Sequence, residues 1–376
     1  MPKKQTLMIR WGVPVLILLI FAVFVIRLNH VEKTPLVSRV GQTFEKGVIT
    51  QILRDNLQPN GSRVGEQTVK VKMLTGERKG QELTTTSASG YLFGAACKVG
   101  MQVVVIQSVA GDSVVTSIYS QNREVPIYTF AALFLLVLCV VGGKQGIRGA
   151  LGIIFTGFCI LFVYLPLVYM GYSPFWTSVL LCIATTAVTL YLIGGPELKT
   201  LVAAAGTITG IIISGLAATI FSAATGVTGW NVPDIESLLT LWNTNGIQVG
   251  GLLFSGLLIS SMGVVMDVAM SISSAISELC AHNPSISRRE LFKAGMNVGR
   301  DMLGTDSSTL ILAFAGSSIS MLLLDYAYEL PYQQIINSNN TGIAIMQGLA
   351  GSFGVVLSAP ATVILATLLF PGKKPA

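Results

Sequence analysis

Charge is what this chain has least of. Only 11% of its 376 residues are Asp, Glu, Lys or Arg, against about 25% in a soluble globular protein. Histidine occurs twice, so nucleophile–base pairs built on His are nearly excluded. Of the five cysteines, Cys139, Cys159 and Cys182 fall in apolar stretches and Cys280 in a basic linker. That leaves Cys97 alone in the polar N-terminal region, and one thiol cannot build a disulfide framework there. Cys280-Ala281-His282 offers two ligands without further Cys or His nearby, too few for a metal site. No cofactor is implied.

What fills the chain instead is apolar sequence. Eight stretches approach the roughly 17–25 residues needed to cross a bilayer: 11–28, 126–142, 150–170, 174–194, 200–222, 247–270, 303–324 and 342–370. The last is long and interrupted by Gly and Pro, a candidate for tilt or a break. The first ends at Ile26-Arg27 without a small-x-small cleavage site, which favours a retained anchor over a cleaved leader. The fold class expected is an α-helical polytopic membrane protein of about eight spans with a small extracytoplasmic β-domain.

Basic residues orient it. With Lys3, Lys4 and Arg10 in the cytoplasm, Lys144 and Arg148, Lys199, the stretch from Arg288 to Arg300, and Lys373 and Lys374 all fall inside as well. The short outer loops 171–173, 223–246 and 325–341 hold no Lys or Arg. This is the positive-inside pattern, with both termini cytoplasmic. The net charge of +6 is therefore largely topological and does not point to nucleic acid; the partner implied is the lipid bilayer.

The expected domains are a cytoplasmic N-terminus and anchor (1–28), an extracytoplasmic β-rich domain (29–125), and a seven-helix bundle (126–376) with a cytoplasmic amphipathic linker at 271–302. In 29–125, the segments Lys46 to Leu53, Gln67 to Leu74, Gln81 to Thr86, Met101 to Gln107 and Ser113 to Ser120 read as strands. Val69, Val71 and Met73 alternate with Lys70 and Lys72, the period of a half-buried strand. Gly76-Glu77-Arg78-Lys79-Gly80 reads as a hairpin loop, and Gln58-Pro59-Asn60-Gly61 as a turn that accounts for the formal glycosylation triplet at Asn60. Five short strands suggest a small OB-like barrel. Its basic excess is either an ordinary solvated surface or a surface for anionic lipid or wall polymer.

Within the bundle, Gly206 and Gly210 have the spacing of close helix contact. Pro166 is placed to kink the third span, and Gly194-Gly195-Pro196 closes the fourth. Trp230 and Trp242 flank an outer segment too short to span, expected as a short helix at the surface or dipping in, with a gate as its functional reading.

Two helices carry polar stripes. Around Asp267, the residues Gly256, Ser260, Gly263, Ser271, Ser274 and Glu278 fall within about 40° of one line. Beyond the linker, Ser287 and Glu290 have capping-box spacing, with Ile286 and Leu291 as a hydrophobic staple. The helix they start leads to Arg300 and Asp301, and Asp301, Thr305 and Ser308 then share a face while Asp306 points elsewhere. Alternatively Gly304 breaks the helix and Thr305 or Asp306 caps a new one below the membrane surface, as in transporter sites. Ionisable groups at that depth need a partner, a cavity or a function, and Arg300 is placed to pair with Asp301 or Asp267.

Met266 to Ser273, Glu278-Leu279, Arg289-Glu290-Leu291-Phe292, Gly299-Arg300-Asp301-Met302-Leu303-Gly304-Thr305 and Thr309 to Ala313 resemble the signature of the YibE/F family of bacterial multi-pass membrane proteins. The chain departs from that pattern with Asp306 and Ser308, where the family would place an apolar residue and an Asn. The resemblance implies a bacterial cell membrane and no established biochemical activity. Because such proteins tend to occur in related pairs, it also implies a paired membrane protein of the same family or a homo-oligomer as partner.

The leading expectation is a permease with a proton or cation site between spans six and seven. Its residues are Asp267, Ser271, Glu278, Arg300, Asp301, Thr305, Asp306 and Ser308, with Arg300 and Asp301 as a switchable pair. The alternative is a non-transporting scaffold or envelope-assembly protein acting through the outer domain, its stripes only specifying helix pairing. A membrane-embedded hydrolase with an aspartate dyad comes third, because Arg300 beside Asp301 opposes a dyad; an enzyme is not expected.

Overall fold

The computed structural model describes residues 20–30, 39–88, 93–110, 113–232 and 235–370. The basic residues at both chain ends, most of the first apolar segment, and Pro233 and Asp234 lie outside the described residues. The chain divides into two compact units, Pro35–Val137 and the remainder.

The first unit is a closed five-stranded barrel of β1 (Gln42–Arg54), β2 (Glu66–Met73), β3 (Glu82–Ala88), β4 (Gln102–Ala110) and β5 (Ser113–Gln121), in the order β1-β2-β3-β5-β4. All five strands overlap the segments read as strands, the second of them from its alternation. On β2, Gln67, Val69, Val71 and Met73 are buried while Lys72 is exposed. Strand β1 is long enough to pair with β2 on one side and β4 on the other, and two bulges bend it between Ile49 and Arg54. Closure comes from a parallel β3–β5 pairing at Thr86 and Ser117. Ile49, Val69, Val71, Met73, Val103, Val105 and Ile118 fill the interior, each contributing about 1.5–3 kcal/mol relative to exposure. The 74–81 hairpin loop forms as expected, Gly80 N–H donating to the Met73 carbonyl (2.8 Å). The 58–61 turn closes with Gly61 N–H on the Gln58 carbonyl (2.9 Å).

The second unit is helical: α1 (residues 20–28 as described), α2 (Glu124–Cys159, whose first part belongs to the barrel unit), α3 (Leu165–Tyr169), α4 (Pro174–Gly194), α5 (Leu198–Thr225), α6 (Ile235–Asn245), α7 (Leu252–His282), α8 (Arg288–Ser317), α9 (Ile319–Ala327), α10 (Tyr332–Ile336) and α11 (Asn339–Leu369). Five runs among the described residues are long and apolar enough to cross a membrane, and α8 with α9, bent by 57°, makes a sixth. The longest run, Glu124–Tyr169, is interrupted at Gly143, whose φ of 55° and ψ of −133° are not helical. A Cβ built on Gly146 would sit 2.1 Å from the Leu138 carbonyl oxygen. Eight residues of straight helix rise about 12 Å, so the chain turns sharply there, and the segments 126–142 and 150–170 belong to separate arms.

Pro166 stands in the first turn of α3. A π-helical turn, Ile160–Tyr164, precedes it, and proline has no N–H to offer the Phe162 carbonyl. The Asn29 side-chain amide donates to that carbonyl instead, at 2.9 Å, restoring the hydrogen bond that a non-aqueous setting requires. Phe21 of α1 packs on Phe155 and Phe158 of the same arm.

Helices α5 and α11 meet almost backbone to backbone. A Cβ on Gly206 would lie 2.0 Å from Thr362 Oγ1, and one on Gly354 1.9 Å from Ser214 Oγ. The contact expected of Gly206 and Gly210 is realised in full. Helix α11 runs unbroken through Pro360, so the Gly/Pro interruption expected of the last segment does not break it. Helix α4 ends at Gly194 with Gly195 at φ 73°. Helix α6 is the expected short helix of this segment; none of its residues is buried, and Trp230 and Trp242 stack edge to face at 5.3 Å.

Candidate functional site

The polar stripe of α7 lies on the face its own bundle leaves open. Val265, Val268, Ile272 and Ile276 bury the opposite side. Met262 touches Thr185 of α4 (3.3 Å), and Met270 approaches Gly194 at the end of the same helix. On the other side, Ile272 and Ile276 pack against Gly299 and Gly295 of α8. At about 100° per residue the line through Asp267 lies roughly 100° from the α4 contacts and nearly opposite the α8 contacts, so the stripe is an open polar face of α7. Gly256, Ser260, Gly263 and Asp267 are exposed, and Cβ atoms built on Gly256 and Gly263 meet nothing within 4 Å. Among the described residues no helix packs on these glycines.

Helix α7 continues to His282, beyond the end its apolar stretch suggests at 270. Glu278 therefore sits near the helix end, exposed and 3.8 Å from His282. Ser271 and Ser274 lie partly buried between it and Asp267.

Helix α8 starts where the capping box places it: Ser287 Oγ accepts from Glu290 N–H (3.3 Å), and the Glu290 carboxylate accepts from Ser287 N–H (3.0 Å). Ile286 and Leu291 join one apolar cluster, as a staple should. The helix does not break at Gly304. It runs continuously to Ser317 and bends only there. Ser308 and Thr309 return their hydroxyls to the carbonyls of Gly304 and Thr305 (2.7 and 2.9 Å), as such residues do inside a continuous helix. Residues 271–282 and 288–302 are thus the ends of α7 and α8 rather than a separate linker helix.

Continuity decides which carboxylate matters. Gly295, Gly299, Asp306 and Leu310 form one line on α8, and that line packs inward against α7 and α11. Asp301, Thr305 and Ser308 are exposed on other sides of the helix, as is Arg300. Among the described residues neither Arg300 nor Asp301 forms an ion pair, so the pairing expected of Arg300 with Asp301 or Asp267 is not made. Asp306 is instead the charged group that acts on Asp267 across the α7–α8 junction. Its Oδ2 is shielded and lacks a hydrogen-bond partner, as does the neighbouring Ser307 Oγ. Ser307 was not singled out by spacing; the inward line of Gly295, Gly299 and Leu310 is the signal that marks its neighbour. Two carboxylates on neighbouring helices that repel one another are relieved by a proton or a cation held near both.

A mostly helical chain with several helices able to cross a membrane, attached to a five-stranded barrel, defines a multi-pass membrane protein. The chain belongs to the YibE/F family: the model of the family described as YibE/F-like protein matches residues 130–372. No curated protein and no solved structure matches it.

Proposed function

We propose that this chain is a permease of the bacterial cell membrane whose pathway runs along the open polar face of α7, with Asp267 and Asp306 as its proton or cation site. Eight spans, cytoplasmic termini and an extracytoplasmic, OB-like barrel complete the reading. The observation that carries it is the placement of Asp267 on an open polar face of α7 and of Asp306, its shielded Oδ2 without a hydrogen-bond partner, on the inward line of the next helix. Ser271, Ser274 and Glu278 continue the polar line towards the inner end of α7. Ser307 supplies a free hydroxyl beside Asp306, while Arg300, Asp301, Thr305 and Ser308 stand at the rim.

The test is proton movement in proteoliposomes holding a trapped pH dye, challenged with panels of ions and small solutes across an imposed pH gradient. Asp267→Asn and Asp306→Asn should each lower solute-dependent proton flux about tenfold or more, with Asp301→Asn within about twofold of the native protein. Equal flux in all four proteins would sink the reading. A second reading, assembly with another chain, is favoured by the unoccupied glycine face at Gly256 and Gly263, which has room for a further helix. Rapid oxidative cross-linking of Gly263→Cys between chains, with flux unaffected, would favour assembly.

A further inference from the structure

The barrel carries a hollow of about 510 Å³ walled by Arg63, Lys98 and Arg123, and among the described residues no carboxylate lines it. Arg63 is held by one nitrogen: Nη1 donates to Asp55 Oδ1 and to Asn56 Oδ1, both at 2.8 Å. Its Nε and Nη2 make no hydrogen bond or ion pair among the described residues, and neither Lys98 nor Arg123 has an ion-pair partner.

The wall bearing Lys98 is pinned to the barrel. Cys97 N–H donates to the buried Gln67 Oε1 (2.7 Å), Ala95 N–H to Ser87 Oγ (2.9 Å) and Gly94 N–H to the Tyr119 carbonyl (2.9 Å). A second hollow of about 500 Å³ shares Lys98, Met101 and Gln121 with the first and continues to Val99, Val125 and Pro126. Val99 and Val125 are 65% and 62% exposed. A fixed cationic pocket thus opens into an apolar trough, and Val125 and Pro126 begin the apolar run of α2.

From this juxtaposition we propose that the barrel binds an anionic phospholipid: its phosphate lies among Arg63, Lys98 and Arg123, and its glycerol and upper acyl carbons lie along Val99 and Val125. The start of a span lies at headgroup depth, where basic pockets recognise lipid phosphates. A soluble phosphoester presents the same anion but nothing to fill the trough. The proposal rests on the reading that α2 enters the bilayer at its first turn.

The experiment is native mass spectrometry of the full chain in neutral detergent, titrated with phosphatidylglycerol or with phosphatidylcholine of the same acyl chains. The native protein should take up its first phosphatidylglycerol about tenfold more tightly than phosphatidylcholine, and Lys98→Gln with Arg123→Gln should reduce that preference to about twofold. Lys72→Gln with Lys79→Gln removes equal charge elsewhere on the barrel and should leave the preference intact. No preference in the native protein, or an undiminished one in the Lys98/Arg123 variant, overturns the proposal. Competition by glycerol phosphate as strong as by the lipid overturns it too, reassigning the pocket to a soluble phosphoester. Release of the native chain from membranes by alkali would defeat the membrane reading itself, whereas lost selectivity in a chain that resists alkali defeats the lipid site alone.

Discussion

Two glycine-bearing helix faces in this protein are put to opposite use. On α5, Gly206 and Gly210 are filled by α11 and α7, with Thr362, Ser358 and Val265 all nearer than 3 Å to where a Cβ would stand. On α7, Gly256 and Gly263 face open space. Residue type is alike in both, and the spacings of four residues (Gly206, Gly210) and seven (Gly256, Gly263) each keep the pair on one helix face. A small residue therefore marks room for something, and only the neighbours decide whether that is a helix backbone or open space. The carboxylate sits on the open face: α5 carries no acidic residue, whereas the α7 stripe carries Asp267 and Glu278.

The comparison breaks most visibly through packing. Gly206→Val and Gly210→Val should each destabilise by about 3 kcal/mol or more, overpacking a contact that has no slack. Gly256→Ala and Gly263→Ala should stay within about 0.5 kcal/mol of the native protein, or gain slightly from helix propensity. Thermal unfolding in detergent measures all four, and equal losses on the two faces would erase the distinction.

The capping box holds the start of α8, the helix that carries Asp306. Ser287→Ala should cost about 1 kcal/mol, read in the same assay, with Ser287→Asp restoring most of it.

The smallest effect belongs to the barrel. A hydrogen bond from Gln67, with others from Arg63 and the Asn56 N–H and the Arg63 charge, outweighs partial desolvation and holds the Asp55 carboxyl below its ordinary range. The folded state thus binds this proton more weakly than the unfolded chain. Its stabilising share is complete above about pH 4, the unfolded value, and is lost as pH falls through the folded value. Acid titration of barrel unfolding should show a shallow loss there that Asp55→Asn removes. The Cys97 thiol, pushed up by burial, should resist alkylation until the barrel unfolds.

Much of the fold was legible in the sequence because each element carries a local signal. Alternation on β2, the glycines of the 76–80 loop, the Ser287–Glu290 box and the Gly194-Gly195 stop all act over a few residues. The site was half legible. Asp267 and its stripe follow from helical periodicity alone, but choosing between Asp301 and Asp306 requires knowing which side of α8 meets α7 and α11. Charge clustering with Arg300 drew attention to Asp301, while the line Gly295, Gly299, Leu310 put Asp306 inward. Helix ends were also obscured, since apolarity stops at 270 although hydrogen bonding carries α7 to His282. The sharp turn at Gly143 leaves no such ambiguity: Lys144 and Arg148 end the apolar run beside it.

The central claim, that the α7 stripe lines a water-filled pathway, is tested most directly by thiol accessibility in the membrane. With the five native cysteines replaced, Ser260→Cys and Gly263→Cys should react with a charged, membrane-impermeant methanethiosulfonate at least about tenfold faster than Leu216→Cys, on an exposed apolar face of α5. Protonation or cation binding at Asp267 and Asp306 should alter the Gly263→Cys rate. Reaction at Ser260→Cys and Gly263→Cys no faster than at Leu216→Cys would mean that lipid or another helix covers the stripe, and the account would be contradicted.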